Sequence, residues 1–259
     1  FKIPFFLFKF ISLIITGINY YILPNFQTWR YRRDLYDLSI PKKNLGCDIF
    51  HTWDHCQRLI KKAKKNGAIT ILDIHVSFTI NENMYPVVDY FIVPSQYQYE
   101  QGIKYGIPKN KLILNPFGVD SSMYKPEYNQ LDKFTCLYVG TLEKRKGIEY
   151  LLKAWKELNL KDSKLLIVGR KHKSITNMIS KYKNCLSIKF VGHKKPSELT
   201  KLYNKSNVFI FPSIREGSAK VIYEAMACGL PVITTKNSGS IIRDGKDGFI
   251  IKEKNVNDI

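Results

Sequence analysis

The stretch NVFIFPSIREGSAKVIYEAMACGLPVITT, Asn207 to Thr235, reads as strand, polar link, helix and second strand. Its two strand segments, NVFIFPS and LPVITT, are short runs apolar on both faces, the mark of a parallel sheet covered by helices on each side. Glu216 lies in the link, and Glu224 is the only charge between Val221 and Leu230. A helix expected to begin at Ser218 sets Glu216 beside a helix N-terminus at the carboxyl edge of a sheet, where open α/β folds take their ligands. The first turn of a helix leaves N–H groups unpaired, so the backbone of Gly217, Ser218 and Ala219 suits phosphate oxygens. Glu224 then falls two turns inside, among Val221, Ile222, Tyr223, Ala225, Met226 and Ala227, where an unpaired carboxylate is costly. Its partner is either Lys220, one turn earlier, or a vicinal diol such as a ribose, from which one carboxylate accepts two hydrogen bonds.

Upstream, FTCLYVG, KLLIVG and LSIKFVG repeat the pattern of a short apolar run closed by Gly140, Gly169 and Gly192. Together they make residues 134–259 one Rossmann-like α/β domain. Further back, CDIFHTW, AITILDIHVSF, VVDYFIVPS and KLILNPFG read as strands, with helices over DHCQRLIKKAKKNG and from Ser95 to Tyr105. These belong to a second α/β domain, residues 1–118, incomplete at its start. Residues 119–133 are polar, without apolar periodicity, and serve as the linker. Two such domains place a ligand in a cleft between the carboxyl ends of their sheets.

The chain has 259 residues, 44% of them hydrophobic, enough for two cores, and a net charge of +19 that favours an anionic partner. Abundant Lys, Asn, Ile and Tyr read as compositional bias, so the charge alone does not choose a partner. Cys47, Cys56, Cys136, Cys185 and Cys228 show no metal-ligand spacing and read as thiols of a reducing, cytoplasmic compartment. There is no GxGxxG, P-loop or Asp-x-Asp, and HTWDH, His51 to His55, lacks the Glu of HExxH, so no metal is expected. Nucleic acid is not the expected partner either, because no basic stripe with interleaved aromatics is present. The opening FKIPFFLFKFISLIITGINYYILP is too short in its uncharged part to span a bilayer and reads as an amphipathic helix. Such a helix either packs on its own domain or, with Arg30, Arg32 and Arg33 behind it, lies on an anionic membrane surface.

The segment EGSAKVIYEAMACGLPVITT resembles the E-x7-E signature of retaining GT-B glycosyltransferases, in particular glycosyltransferase family 4, the glycosyl transferases group 1. ILNPFGVDSSMYKP resembles that family's interdomain link, YVGTLEKRKGIEYLLKAW its first C-domain strand-loop-helix, and FVGHKKPSELTKLYNKSNVFIFPS its approach to the signature. The resemblance implies an α/β protein of two Rossmann-like domains facing across a cleft, and transfer of a sugar from a nucleoside diphosphate donor to an acceptor hydroxyl with retention. It implies that Glu216 contacts the donor sugar, Glu224 the ribose, and Lys146 the diphosphate. Thr141 stands where the family usually has an Arg, so either Arg145 takes that role or donor binding is weaker. His75 matches the family's His near the reacting sugar, with His51, Asp73 and His193 as lesser candidates. The implied acceptor is a glycan or lipid-linked saccharide. A nucleotide-sugar-binding homologue without activity is the alternative that Thr141 suggests, and a basic nucleic-acid-binding protein is a more distant one. The family's Gly-rich loop after its first strand is not in this sequence.

Overall fold

The computed structural model describes residues 46–53, 56–75, 86–127 and 133–259. The expected N-terminal amphipathic helix, Arg30, Arg32, Arg33 and His55 lie outside these residues, as does part of the expected linker. The chain divides into two compact units, one ending at Val93 and resuming over Gly102–Ile113, the other formed by Pro94–Gln101 with Leu114–Ile259.

In the first unit, β1 (Ile49–Thr52), β2 (Ile69–Asp73), β3 (Tyr90–Val93) and β4 (Leu112–Leu114) form a sheet in that order, with the β1–β2 and β2–β3 pairs parallel. Helix α1 (Gln57–Lys65) buries Leu59, Ile60 and Ala63, spaced so that one stripe meets the core. Helix α2 (Gln96–Lys104) follows β3 and is shared between the two units.

Among the described residues the second unit holds six strands: β5 (Phe134–Val139), β6 (Ser163–Val168), β7 (Ile188–Gly192), β8 (Val208–Phe211), β9 (Val232–Thr235) and β10 (Gly248–Ile251). Their spatial order is β10-β9-β8-β5-β6-β7, and every pairing is parallel. Chain order runs outward in both directions from β5 and β8, which is the doubly wound arrangement with its switch point between those two strands. The helices are α3 (Ile148–Leu158), α4 (Thr176–Ser180), α5 (Pro196–Asn204) and α6 (Lys220–Ala227). Ile148, Leu151, Leu152 and Trp155 recur at helical spacing and put one face of α3 in the core. Pro196 opens α5 with its fixed φ, and the Glu198 carboxylate turns back to accept the Lys195 N–H at 3.0 Å.

Strand β10 is absent from the sequence reading; with Phe249 and Ile250 exposed, it is a four-residue edge strand that offers little burial signal. Tyr124, assigned by sequence to the linker, is instead buried in the core of the second unit.

Candidate active site

A ligand crevice in this topology opens where the loops after β5 and β8 part, because the chain turns to opposite faces of the sheet on leaving them. The β5 loop carries Arg145 and Lys146 in a single 3-10 turn, Lys144–Lys146. Gly147 ends that turn at φ 70°, and a Cβ there would sit 1.8 Å from the Pro212 carbonyl oxygen at the head of the β8 loop. The two loops therefore touch backbone to backbone, a closeness only glycine permits.

The contact brings the sequence's candidates together. One carboxylate oxygen of Glu216 accepts Lys146 Nζ at 2.5 Å, Arg145 Nη1 at 2.8 Å and Ser213 Oγ at 3.1 Å. Arg145 also donates to the Arg215 carbonyl at 2.8 Å and to Glu143 at 2.7 Å. Burial works against the guanidinium's charge, and Glu216 and Glu143 more than offset it, holding Arg145 above its ordinary value. Lys146 Nζ stands 5.4 Å from the centre of the Phe211 ring, a cation–π contact that fixes its approach. The four charges Glu143, Arg145, Lys146 and Glu216 sum to zero, so the site is self-neutralised.

The Glu216 loop is held by its backbone. Glu216 N–H donates to the Asn237 carbonyl at 2.9 Å, and its own carbonyl accepts Gln98 Nε2 at 2.9 Å. Ser95 Oγ donates to the Gly217 carbonyl at 2.7 Å, and both Ser95 and Gln98 are buried. The helix behind the loop begins at Lys220, not at the expected Ser218, because Ala219 is extended and caps it. As a further correction, the Ala219 N–H, expected to be open to phosphate, donates to the Ser238 carbonyl at 3.0 Å. The Ser218 hydroxyl is likewise engaged, donating to the Gly239 carbonyl at 2.8 Å. Of the expected backbone cradle, Gly217 and Ser218 N–H are left as its candidates.

The later start places Glu224 only four residues into α6, about 6 Å along its axis, nearer the ligand edge than expected. Its partner is not Lys220 directly, whose Nζ lies 5.1 Å over the Phe117 ring. Tyr203 Oη donates to it at 2.9 Å, and the Tyr124 phenol lies nearby. Burial pushes the Glu224 carboxyl above the usual carboxylate range, and the two phenols and the Lys220 charge pull it part of the way back.

Along the same carboxyl edge lies a cavity of about 350 Å³ lined by Gly140, Thr141, Gly169, Arg170, His193 and Lys194, among others. Its floor depends on Gly169, at φ 147°, whose Cβ would sit 1.8 Å from the Gly140 carbonyl oxygen. Thr141, the residue where an Arg was expected, is therefore a cavity wall, and Arg145 supplies the cation beside Lys146.

In the first unit, His51 Nε2, within β1, and His75 Nε2, just after β2, lie 3.6 and 3.5 Å from the same oxygen of Asp73, the last residue of β2, and Trp53 meets His75 edge-on. Sequence reasoning named all three polar members singly and missed that they form a cluster. It also missed Tyr124, Tyr203, Ser95, Gln98 and Arg170; a half-buried Glu224 in need of donors was the one available signal for the tyrosines. Among the described residues no group of His, Cys, Asp and Glu is placed to hold a metal ion, and no helix is long and apolar enough to cross a membrane.

A doubly wound sheet with cations and a carboxylate at its switch point, and a cavity along the carboxyl ends of β5, β6 and β7, has these groups where open α/β sheets take ligands. The chain belongs to the glycosyl transferases group 1 family, whose profile matches residues 123–259. It is 33% identical over 153 residues to MJ1178 of Methanocaldococcus jannaschii, described as an uncharacterized glycosyltransferase, covering 58% of this chain and 42% of that protein. It is 34% identical over 156 residues to the capsular polysaccharide biosynthesis glycosyltransferase CapM of Staphylococcus aureus, covering 56% and 40%. The chain thus spans less than half the length of these curated relatives. The fold matches that of Anabaena HepE crystallised with UDP, with a TM-score of 0.70, 16% identity and coverage of 83% and 67%. It also matches sucrose-phosphate synthase from Thermosynechococcus elongatus, with a TM-score of 0.69, 22% identity and coverage of 90% and 67%. The α/β class expected from the GT-B resemblance is the class observed.

Proposed function

We propose that the protein is a metal-independent, retaining glycosyltransferase of the family 4 type, moving a sugar from a nucleoside diphosphate to an acceptor hydroxyl. The meeting of Lys146, Arg145 and Glu216 at the switch point carries this reading. In it, the cavity beside Gly140 and His193 takes the nucleobase, Glu224 the ribose hydroxyls, Lys146 and Arg145 the diphosphate, and Glu216 the sugar hydroxyls. Incoming phosphate oxygens compete with Glu216 for its two cations, and the released carboxylate turns to the sugar. The bond from the anomeric carbon to the leaving phosphate oxygen breaks, with its electron pair going to that oxygen. The acceptor oxygen bonds the carbon on the same face and its proton passes to the departing diphosphate. Cations placed where this negative charge gathers supply the main catalytic term. His75 takes the role that the resemblance assigns it, orientation of a sugar hydroxyl.

The HepE structures contain UDP or UDP with glucose, and CapM is named for capsular polysaccharide biosynthesis, which supports a nucleotide-sugar donor and a glycan or lipid-linked acceptor. In this reading the protein is cytoplasmic and works at the cytoplasmic face of a membrane, where a net charge of +19 is compatible with an anionic surface without selecting it. The test is nucleoside diphosphate release by the full-length protein from a panel of UDP-, GDP- and ADP-sugars with saccharide and lipid-linked acceptors. One donor is expected to turn over without added metal, and Glu216→Ala and Lys146→Ala are expected to slow it about 100-fold or more. Near-normal rates in both variants would remove this mechanism.

A further inference from the structure

Glu224 has an arrangement that its assignment as a ribose ligand does not by itself require. Tyr203, on the last turn of α5, is 0% exposed, packed edge-on against Tyr124 and Phe209 at centroid distances of 6.0 and 5.7 Å. A phenol buried this deeply needs an acceptor. It has the Val221 carbonyl at 3.3 Å and the Glu224 carboxylate at 2.9 Å, so the carboxylate is the stronger of the two. Tyr124, in the core of the second unit, packs edge-on against Tyr203 and lies close enough to the same carboxylate to feel its charge. Both phenols stay protonated: burial and the Glu224 charge push Tyr124 up to about 12 and Tyr203 well above its ordinary value.

A backbone carbonyl would satisfy a phenol without the cost of an ionised side chain in a half-buried place. What a carboxylate adds is acceptor capacity, about four lone-pair sites, of which one phenol uses only part. Glu224 is only partly covered, and α6 starts at the ligand edge of the sheet. A donor from the core side and an opening on the other side fix the direction in which the remaining lone pairs face.

We infer that Tyr203, with Tyr124 packed beside it, is a positioning residue for ribose recognition, aiming the Glu224 carboxylate so that it accepts from a vicinal diol. This rests on the ribose assignment of Glu224 made above. Neither tyrosine touches the nucleotide in this account; each acts through the carboxylate.

The experiment is calorimetric titration of the full chain with ADP, GDP and UDP and with their 2′-deoxy counterparts. It uses the wild type, Tyr203→Phe, Tyr124→Phe, the double variant and Glu224→Gln. Phe keeps each ring and its packing and removes only the hydroxyl. The wild type is expected to prefer the ribonucleotide it binds by about tenfold, the worth of one hydrogen bond to a charged group. Each single variant is expected to cut that preference about threefold and the double variant to remove most of it. Affinity for the 2′-deoxy nucleotide stays within about twofold throughout, which a general loosening of the core would not give. Loss of the preference in Glu224→Gln with its full retention in all the tyrosine variants would overturn the positioning role alone. Absence of any ribose preference in the wild type, or its survival in Glu224→Gln, would overturn the ribose assignment and this inference with it.

Discussion

The two carboxylates of one signature, Glu216 and Glu224, stand eight residues apart and are held by opposite kinds of chemistry. Glu216 sits in a loop and is matched by full charges, Lys146 and Arg145, with a hydroxyl from Ser213. Glu224 sits on a helix and is held by a neutral phenol, Tyr203, with Tyr124 close by and Lys220 acting only as a nearby charge. A carboxylate neutralised by cations can be exchanged for another anion at little net electrostatic change, whereas one held by buried neutral donors has no competitor and keeps its direction. On the function proposed above, the first region swaps partners during the reaction and the second reads a ligand that does not change.

The largest effect expected from breaking this contrast is on turnover. Lys146→Ala leaves Glu216 paired to Arg145 alone and removes one cation from the leaving group, so nucleoside diphosphate release should fall about 100-fold. Next is the glycine that lets the cations reach their carboxylate. With φ 70° and a Cβ position 1.8 Å from the Pro212 carbonyl, Gly147→Ala should destabilise the fold by about 3 kcal/mol, read by urea denaturation.

A sharper use of the comparison is to neutralise each carboxylate in turn. Glu216→Gln frees Lys146 and Arg145 from an internal competitor, so a nucleoside diphosphate should bind about threefold tighter while turnover drops. Glu224→Gln should weaken the same ligand by about tenfold. Equal signs for the two variants would erase the distinction drawn here.

The smallest effect is on stability against pH. The folded-state carboxyl of Glu224 lies above its ordinary 4.5, with burial the leading cause. Its contribution is fully present below that unfolded value and is lost as pH rises through the raised one. Glu224→Gln should therefore raise Tm by about 2 °C at neutral pH, with the gain vanishing below about pH 4.5.

Much of this was readable from the chain. Among the described residues, nine of the ten strands announce themselves as short apolar runs, and the motif spacing puts Glu216 and Lys146 on post-strand loops. What the sequence withheld depends on contacts between distant residues. The α6 start moved because Ala219 is claimed by the Ser238 carbonyl, a bond no local propensity reports. The side-chain donor to Glu224, Tyr203, comes from α5, and a Tyr in an apolar helix face looks the same whether its hydroxyl meets a carbonyl or a carboxylate. Arg145, four residues past the usual Arg position at Thr141, reaches Glu216 because the 3-10 turn folds the loop back. Strand β10 is too short and too exposed to register as a burial pattern.

The central claim is that the loops after β5 and β8 form a nucleoside diphosphate site with Lys146 as an anchoring cation. Titration of UDP, GDP and ADP into the full-length wild type and Lys146→Ala tests it most directly. At least one of the three is predicted to bind the wild type and to lose about tenfold or more in the variant. No binding by any of them, or equal affinity in the two proteins, would contradict it.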